Sequence, residues 1–224
     1  MNQFAALTRE LAALAALEGI GLRPMSSAGA LYSKMPLGAQ AHALWQLSTL
    51  LEVVKRIQAR QESLRNSKAL AEEFCKTTQM ELPADALHKL QGVEFLDIYN
   101  ADHQLLFANF TFLETVSYSL EDLFCRSWLD LFARDNEGVQ KQIFDLCLQI
   151  LAGSFFGVVE AGHIPVHLIR ETSSPLKLTA YLQPKFFAPL RKEGKICGYF
   201  CVNNGELLLE SSAKRKSWAA NQLH

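Results

Sequence analysis

The hydrophobic pattern of this chain changes its period near Val93, and that change limits the folds open to it. Before Val93, apolar residues recur at three- and four-residue spacing, as in residues 3–18 (QFAALTRELAALAALE), which is typical of helices with one apolar face. After it, the run VEFLDIYN is rich in aromatic and β-branched residues and leads into a turn, which is typical of a strand. Helices followed by a separate set of strands indicate an α+β fold rather than a parallel, doubly wound one.

The longest helical pattern of the first half covers residues 38–64. One apolar stripe follows spacings of three and four residues: Leu44, Leu47, Leu51 and Val54. A second stripe lies beside it: Leu50, Ile57 and Leu64. Two adjacent stripes predict a helix that lies either between two neighbouring helices or along a coiled-coil partner. A further helix is expected over 68–79, capped by Asn66 or Ser67, and a short one from Pro83 to Gly92.

The second half predicts five strands and two helices. The strands are expected at 93–100, 105–110, 154–161, 176–187 and 195–202. A short helix started by Ser119 is expected over 119–124, and a longer helix over 136–151. The chain therefore divides into a helical region (1–92), a mixed region (93–205) and a tail (206–224) that either adds a short helix or stays without one.

One stretch, 109–135 (NFTFLETVSYSLEDLFCRSWLDLFARD), connects the second strand to the long helix. It has an Asn and an aromatic after the strand, a Tyr-Ser turn, an acidic helix start and an Asp before the long helix: Asn109, Phe112, Tyr118, Ser119, Glu121, Asp122, Arg126 and Asp135. This order resembles the centre of a PAS domain, and residues 93–205 are similar to that family in their order of elements. The resemblance implies a PAS-like five-stranded antiparallel sheet with helices on one face, in a sensor or docking module rather than a catalyst.

Departures from the PAS pattern bear on cofactors. Ser117 and Cys125 stand where PAS domains usually have Gly. Light-sensing members carry a flavin-reactive Cys at the position that corresponds to Trp128, and Cys125, three residues away, is expected to be a packed thiol. Haem-binding members often take their iron ligand from the long helix, which has no His here, and Cys147 on that helix is expected to be core. The resemblance therefore implies no flavin or haem, and we expect no cofactor.

Charge and composition exclude several classes of partner. The formal net charge is −1, from 22 Lys and Arg against 23 Asp and Glu, so no whole-chain field attracts nucleic acid. No apolar run approaches the roughly 18–20 residues of a membrane span, and Arg9, Glu10 and Glu18 interrupt the N-terminal apolar stretch, which is not expected to be a signal peptide. An odd number of scattered cysteines is typical of free thiols in a reducing compartment. We therefore expect a cytoplasmic protein that binds neither nucleic acid nor membrane.

No catalytic or metal-binding pattern is recognisable in the sequence. His163 and His167 are four residues apart, but Pro165 between them favours loop or strand, in which that spacing separates side chains by roughly 13 Å. A phosphate loop, paired catalytic carboxylates and a Ser-His-Asp arrangement are all missing from the sequence. We therefore expect neither an enzyme nor a metal protein.

The first functional hypothesis is a non-catalytic PAS-like adaptor that docks into a larger assembly, as a hetero-complex or a homodimer. Phe186 and Phe187 are adjacent in a predicted strand and point to opposite faces, so one of them has to be covered by the helices, by the tail or by another protein. The partner-binding candidates are apolar residues of the long helix, of this strand and of the tail: Leu44, Leu47, Leu51, Val54, Phe186, Phe187, Leu208 and Trp218.

The alternative hypothesis is a PAS module that senses a small molecule and signals through a separate partner protein. The molecule is expected to be apolar and to lie between the sheet and the long helix. The expected lining is Phe95, Phe107, Phe110, Phe112, Phe132, Ile143 and Cys147. The same bulky side chains can also fill that space themselves, so the sequence leaves both outcomes open.

Overall fold

The computed structural model describes residues 3–26, 30–92, 94–174 and 176–208. Its first part is helical, with α1 (Gln3–Ala16), α2 (Leu37–Ala59) and α3 (Ser67–Thr78). Strands and helices alternate after that: β1 (Met80–Glu81), β2 (Phe95–Asn100), β3 (Leu105–Ala108), α4 (Phe110–Thr115), α5 (Leu120–Cys125), α6 (Trp128–Leu131), β4 (Phe132–Arg134), α7 (Glu137–Leu151), β5 (Val159–Glu160), β6 (His167–Glu171), β7 (Thr179–Lys192) and β8 (Lys195–Leu208). Helical turns of the 3-10 type lie at Tyr32–Lys34 and Leu87–Lys89. The expected α+β class is confirmed.

One antiparallel sheet joins all of the named strands. Its main order is β3-β2-β8-β7-β6-β4, and the short strands β1 and β5 pair with β7. The strand expected at 154–161 is reduced to the two residues of β5, because Gly153 leaves α7 with a φ of 82° and the chain bends through 156–157. The segment around His167, for which the sequence leaves loop or strand open, is strand β6 and takes the place beside β7.

Helix α2 lies between α1 and α3, so the first of the two alternatives for its double stripe is confirmed. Leu47, Leu50, Val54 and Ile57 have no exposed surface. Glu73 of α3 is buried and pairs with two arginines of this region, Arg56 Nη1 at 3.2 Å and Arg60 Nη1 at 2.5 Å. Asn66 caps α3 as expected, because its side-chain oxygen accepts a hydrogen bond from Ala69 N at 3.1 Å.

Both faces of the sheet are covered by the chain itself. Phe95, Asp97 and Tyr99 of β2 lie on one face, called the front face below, and Leu96 and Ile98 lie on the back face. All five are buried, which is the pattern of a strand covered on both sides rather than of one that faces water. Side chains of α4, α6 and α7 lie over the front face. On the back face, Phe107 of β3 packs against Phe74 of α3, with ring centroids 5.0 Å apart.

The start of α5 holds the connection between α1 and α2. Glu121 has no exposed surface, and its two carboxylate oxygens accept hydrogen bonds from Tyr32 N (2.9 Å) and Ser26 N (3.1 Å). The neighbouring Asp122 closes a capping box with Ser119 and also accepts a bond from the Ser26 hydroxyl at 3.0 Å. The acidic helix start therefore joins the helical region to the sheet region.

We expect Glu121→Gln to destabilise the fold. The substitution replaces one of two buried acceptors with a donor that faces a backbone N–H, which costs roughly 1–3 kcal/mol. Urea denaturation followed by circular dichroism measures the change in the free energy of unfolding. The matched control is Glu114→Gln, which removes an ion pair with Arg65 whose side chains are 35% and 53% exposed, and such pairs contribute about 0–1 kcal/mol. Equal losses in the two variants would contradict the role of Glu121.

Candidate ligand-binding site

A cavity of about 80 Å³ lies between the front face of the sheet and the layer of α4, α6 and α7. Most of its wall is apolar: Phe95, Phe112, Val116, Phe132, Ile143, Ile169, Leu178, Ala180, Leu182, Phe187 and Leu207. A single water needs about 10–15 Å³, and a cavity of about 150 Å³ is enough to bind benzene. This space therefore suits a few waters or one small organic molecule.

Five of the seven lining residues expected from the sequence line this cavity: Phe95, Phe112, Phe132, Ile143 and Cys147. The expectation for Phe107 is corrected, because Phe107 is paired with Ile98 and so shares the back face. The expectation for Phe110 is corrected as well. The strand ends at Ala108 because the Asn109 side chain accepts a bond from Phe112 N and starts α4, which carries Phe110 out of the sheet.

The ring of Phe95 lies directly against the backbone of Gly205 in β8. A Cβ atom at position 205 would stand 2.0 Å from Cε2 of Phe95, far inside contact distance, so the ring occupies this place only because residue 205 has no side chain. Gly205 thereby fixes the position of one wall of the cavity.

Asp97 is the acid on the front face of β2. Its Oδ2 accepts a hydrogen bond from the Tyr99 hydroxyl at 2.7 Å, and its Oδ1 lies 3.5 Å from Asn203 Nδ2. Burial raises the pKa of Asp97 to about 7, and the Tyr99 hydrogen bond and the charge of Arg134 offset only part of that effect. Asp97 therefore changes its charge near neutral pH.

Arg134 of β4 brings a guanidinium to the same cavity. Its carbon Cζ lies 4.8 Å from the ring centroid of Trp128, and its Nε donates a hydrogen bond to Nε2 of His167 at 3.2 Å. His167 Nδ1 lies 3.1 Å from Pro165 O, so both ring nitrogens are engaged in the neutral tautomer that donates from Nδ1. Nη1 of Arg134 is buried and has no hydrogen-bond partner among the described residues.

The second acid in the wall, Glu171, is fully engaged. It accepts hydrogen bonds from Ser117 N at 2.6 Å, from the Ser117 hydroxyl, from Ser174 Oγ at 2.5 Å and from Leu178 N at 3.0 Å. Ser117 thus ties the end of α4 to the end of β6. Glu171 holds the wall together through these four hydrogen bonds.

The thiols in the wall are unreactive. Burial raises the pKa of Cys147 to about 12 and raises that of Cys201 well above its ordinary value. A thiol with such a pKa is uncharged at pH 7, and the thiol is a far weaker nucleophile and metal ligand than the thiolate. All five cysteines are free.

The chain itself covers most of the partner-binding candidates, which corrects the surface expected for a partner. Five are at most 4% exposed: Leu47, Leu51, Val54, Phe186 and Phe187. Phe187 lines the cavity, and Phe186 packs on the back face with its ring centroid 6.0 Å from that of Phe200. Leu44 and Leu208 are half-buried, and Trp218 lies outside the described residues.

Sequence reasoning missed Asp97 and Arg134 as site residues. Asp97 carried a signal, since an acid in the middle of the otherwise apolar run FLDIY is rarely buried without a partner. Arg134 carried none, because it stands in a short charged segment before a helix and its burial follows from the pairing of β4 with β6.

Nowhere in 3–26, 30–92, 94–174 or 176–208 do three or more His, Cys, Asp or Glu side chains come together as a metal site. None of the helices in those ranges has the length and hydropathy needed to cross a membrane.

Comparison of the chain with models of known protein families gives no match, and comparison with curated protein sequences gives no significant one. The geometry of the cavity is therefore the basis for assigning its function.

We expect Asp97→Asn to change how stability depends on pH. A carboxyl group whose pKa is raised in the folded state favours folding below its unfolded pKa near 4, and this contribution is lost as the pH rises through about 7. The variant should therefore be more stable than wild type at pH 8, by about 2–4 kcal/mol, and no more stable at pH 4. Urea denaturation at pH 4, 6 and 8 measures this. Asp102→Asn, in the exposed turn after β2, is the control and should follow the wild-type profile; parallel curves for wild type and Asp97→Asn would contradict the burial of an ionisable acid.

Proposed function

We propose that this chain is a non-catalytic, PAS-like sensing module that holds a small molecule between the sheet and α7 and reports its presence to a separate partner protein. The observation that carries the proposal is a cavity that is apolar except for a few polar groups, one of which is Arg134, whose buried Nη1 has no partner in the described part of the chain. Small-molecule sites in proteins typically combine an apolar wall with a few polar groups that orient the ligand.

An empty cavity of this kind is unfavourable. At about 24 cal/mol per Å³, leaving 80 Å³ unfilled costs about 2 kcal/mol. Protein interiors are close-packed and hold few such voids. A buried donor that lacks a partner adds a further cost of about 1–3 kcal/mol, and more when it is charged. A bound molecule that fills the space and accepts a hydrogen bond from Arg134 removes both costs, which supports a binding role.

The PAS-like part of the proposal is supported by the arrangement of elements. Five antiparallel strands in the order β3-β2-β8-β7-β6 form the centre of the sheet, and α4, α6 and α7 supply side chains over its front face. Trp128, in the place of the flavin-reactive Cys of light-sensing members, lies beside Arg134. The non-catalytic part is supported by the protonated thiols, and the free cysteines favour a reducing compartment such as the cytoplasm.

An adaptor role is the second candidate, and exposed apolar residues on α2 favour it. Leu37 is 83% exposed and Trp45 is 40% exposed, and half-buried Leu44 lies beside Trp45. Positions 37, 44 and 45 share one face of a helix because they are seven and eight residues apart. This face offers a partner apolar contact, and of the residues expected from the sequence only half-buried Leu44 belongs to it.

Filling the cavity should abolish binding. Ala180 is buried on β7 and lines the cavity, so Ala180→Leu places three more carbon atoms in it. With a ligand at 100 times its dissociation constant, we expect the midpoint temperature of thermal unfolding to rise by roughly 5–10 °C for wild type. The midpoint of the variant should not rise. The screen is a library of small acids, amides and alcohols, together with native mass spectrometry of protein from its own cells. Ala133→Leu, exposed on β4, is the control. If no compound distinguishes wild type from Ala180→Leu, the cavity is not a ligand site.

Changing the exposed face of α2 tests the adaptor role. We expect Trp45→Glu to lower the mass in solution, or to remove a protein that co-purifies from the native cell, because a charge replaces apolar contact area. Light scattering across a range of concentrations measures the mass. Leu17→Glu, at a residue 77% exposed just after α1, is the matched control. An unchanged mass and unchanged co-purification in Trp45→Glu would argue against an interface on this face.

A further inference from the structure

The guanidinium of Arg134 has two positioning contacts and one buried nitrogen, Nη1, without a partner among the described residues. Its Cζ lies over the ring of Trp128, 4.8 Å from the ring centroid, and Nε2 of His167 accepts a hydrogen bond from its Nε at 3.2 Å. Within residues 3–26, 30–92, 94–174 and 176–208, none of the ion pairs at 4 Å or less involves Arg134, and its buried Nη1 has no hydrogen-bond partner there. Burial lowers the pKa of Arg134, and the guanidinium nevertheless stays charged because arginine does not lose its proton in proteins.

Neither acid in the cavity wall supplies the missing anion. Glu171 is bonded to the serine hydroxyls and backbone N–H groups described above, and no ion pair joins it to Arg134 among the described residues. Asp97 accepts a hydrogen bond from Tyr99 and lies next to Asn203. It stands on β2, which three strands separate from β4 in the sheet. A buried guanidinium is best satisfied by a planar oxyanion that accepts two parallel hydrogen bonds, and a carboxylate is the smallest common one.

The remaining wall limits what the carboxylate can be attached to. Apart from Asp97, Arg134 and Glu171, the lining is mostly aromatic and aliphatic, so a second charge on the ligand would be buried without a partner. A volume of about 80 Å³ leaves room for a chain of only a few carbon atoms.

We propose that the ligand is a small aliphatic monocarboxylic acid, whose carboxylate pairs with Arg134 and whose short apolar chain lies against the front face of the sheet. This inference rests on the function proposed above and adds the chemical class of the ligand. Trp128 and His167 are positioning residues, since they hold the guanidinium rather than touch the carboxylate.

Asp97 makes this binding depend on pH. The charged and titratable groups of the cavity come from five elements: Tyr99 of β2, Arg134 of β4, Cys147 of α7, His167 and Glu171 of β6, and Tyr199 and Cys201 of β8. Burial lowers the pKa of His167 and raises that of Asp97 to about 7, so the ionisation of Asp97 falls between pH 6 and 8.5. When Asp97 ionises, it repels a second carboxylate and competes for Arg134. Binding should therefore weaken as the pH rises through 7.

The experiment is calorimetric titration of the full chain with sodium propionate and sodium butyrate at pH 6, against the neutral amides propionamide and butyramide. We expect the carboxylates to bind with dissociation constants between about 1 µM and 1 mM, which is what five or six heavy atoms can supply, and the amides at least tenfold more weakly.

Arg134→Gln should weaken the binding of propionate at least tenfold, and Arg134→Lys, which keeps the charge without the planar fork, should weaken it less. Arg170→Gln, an exposed arginine on β6, is the matched control and should leave binding unchanged. At pH 8.5 the wild type should bind about tenfold more weakly than at pH 6, and Asp97→Asn should bind equally at both.

The outcomes separate this inference from the proposed function. If the amides bind as tightly as the carboxylates, or if Arg134→Gln binds propionate as wild type does, the ligand is not a carboxylate and the cavity is still a binding site. If no monocarboxylate binds but neutral compounds stabilise wild type and not Ala180→Leu, the cavity is again a binding site for a ligand that is not a carboxylate. If neither charged nor neutral compounds distinguish wild type from Ala180→Leu, both the inference and the proposed function are overturned. The comparison of acid with amide uses wild-type protein, so it holds even where an Arg134 variant does not fold.

Discussion

The pairing of β7 with β8 is the interaction on which the rest of the fold depends. Each strand has 14 residues, and their ladder runs from Thr179↔Leu208 to Lys192↔Lys195 around a turn in which Glu193 and Gly194 both have positive φ. Every other part of the sheet is attached to this hairpin: β2 and then β3 on the β8 side, and β6 and then β4 on the β7 side.

The ladder between β7 and β8 contains an irregularity between Pro184 and Phe186, and its effect reaches the cavity. An extra residue in a strand reverses the faces of all that follow, so Phe187 rather than Phe186 joins Ala180 and Leu182 on the front face.

A sheet covered on both faces explains why the cavity is so sensitive to charge. The helices α3 and α7 lie on opposite sides of it, and the polar groups between sheet and helix have little access to water. In such surroundings a hydrogen bond is strong and an unpaired charge is costly. The charge of Glu171 is stabilised by four hydrogen-bond donors, whereas Asp97 avoids a buried charge by keeping its proton until the pH is near 7. Arg134 has neither option, and this is what distinguishes the cavity from an ordinary packing defect.

The sequence predicts the helices and their caps, which depend on local chemistry. It does not predict which face of the sheet a residue lies on or which strands are neighbours, because these depend on pairing between distant segments. The period of the apolar residues places the helices to within a few residues, and the caps at Asn66 and Ser119 are visible as single residues. The burial of both faces of the sheet is not visible, because it depends on how the helical region folds over strands that follow it in the chain. The same limit applies to Phe107, whose face is set by its pairing with Ile98, and to β6, whose place beside β7 is set by tertiary contacts. Arg134 is the clearest case, since its neighbours in sequence are exposed and only the fold buries its Nη1.

The contact between Phe95 and Gly205 has a consequence for the evolution of chains with this fold. Because the ring rests on bare backbone, any side chain at position 205 would push it toward the space it now borders. The depth of the cavity is then set by the presence or absence of one methyl group at a residue behind the ring. Chains with alanine or serine in place of Gly205 would have this ring in a different place, while every polar group in the cavity wall keeps its residue. The shape of the cavity and its polar groups are thereby assigned to different residues, and each can change without the other.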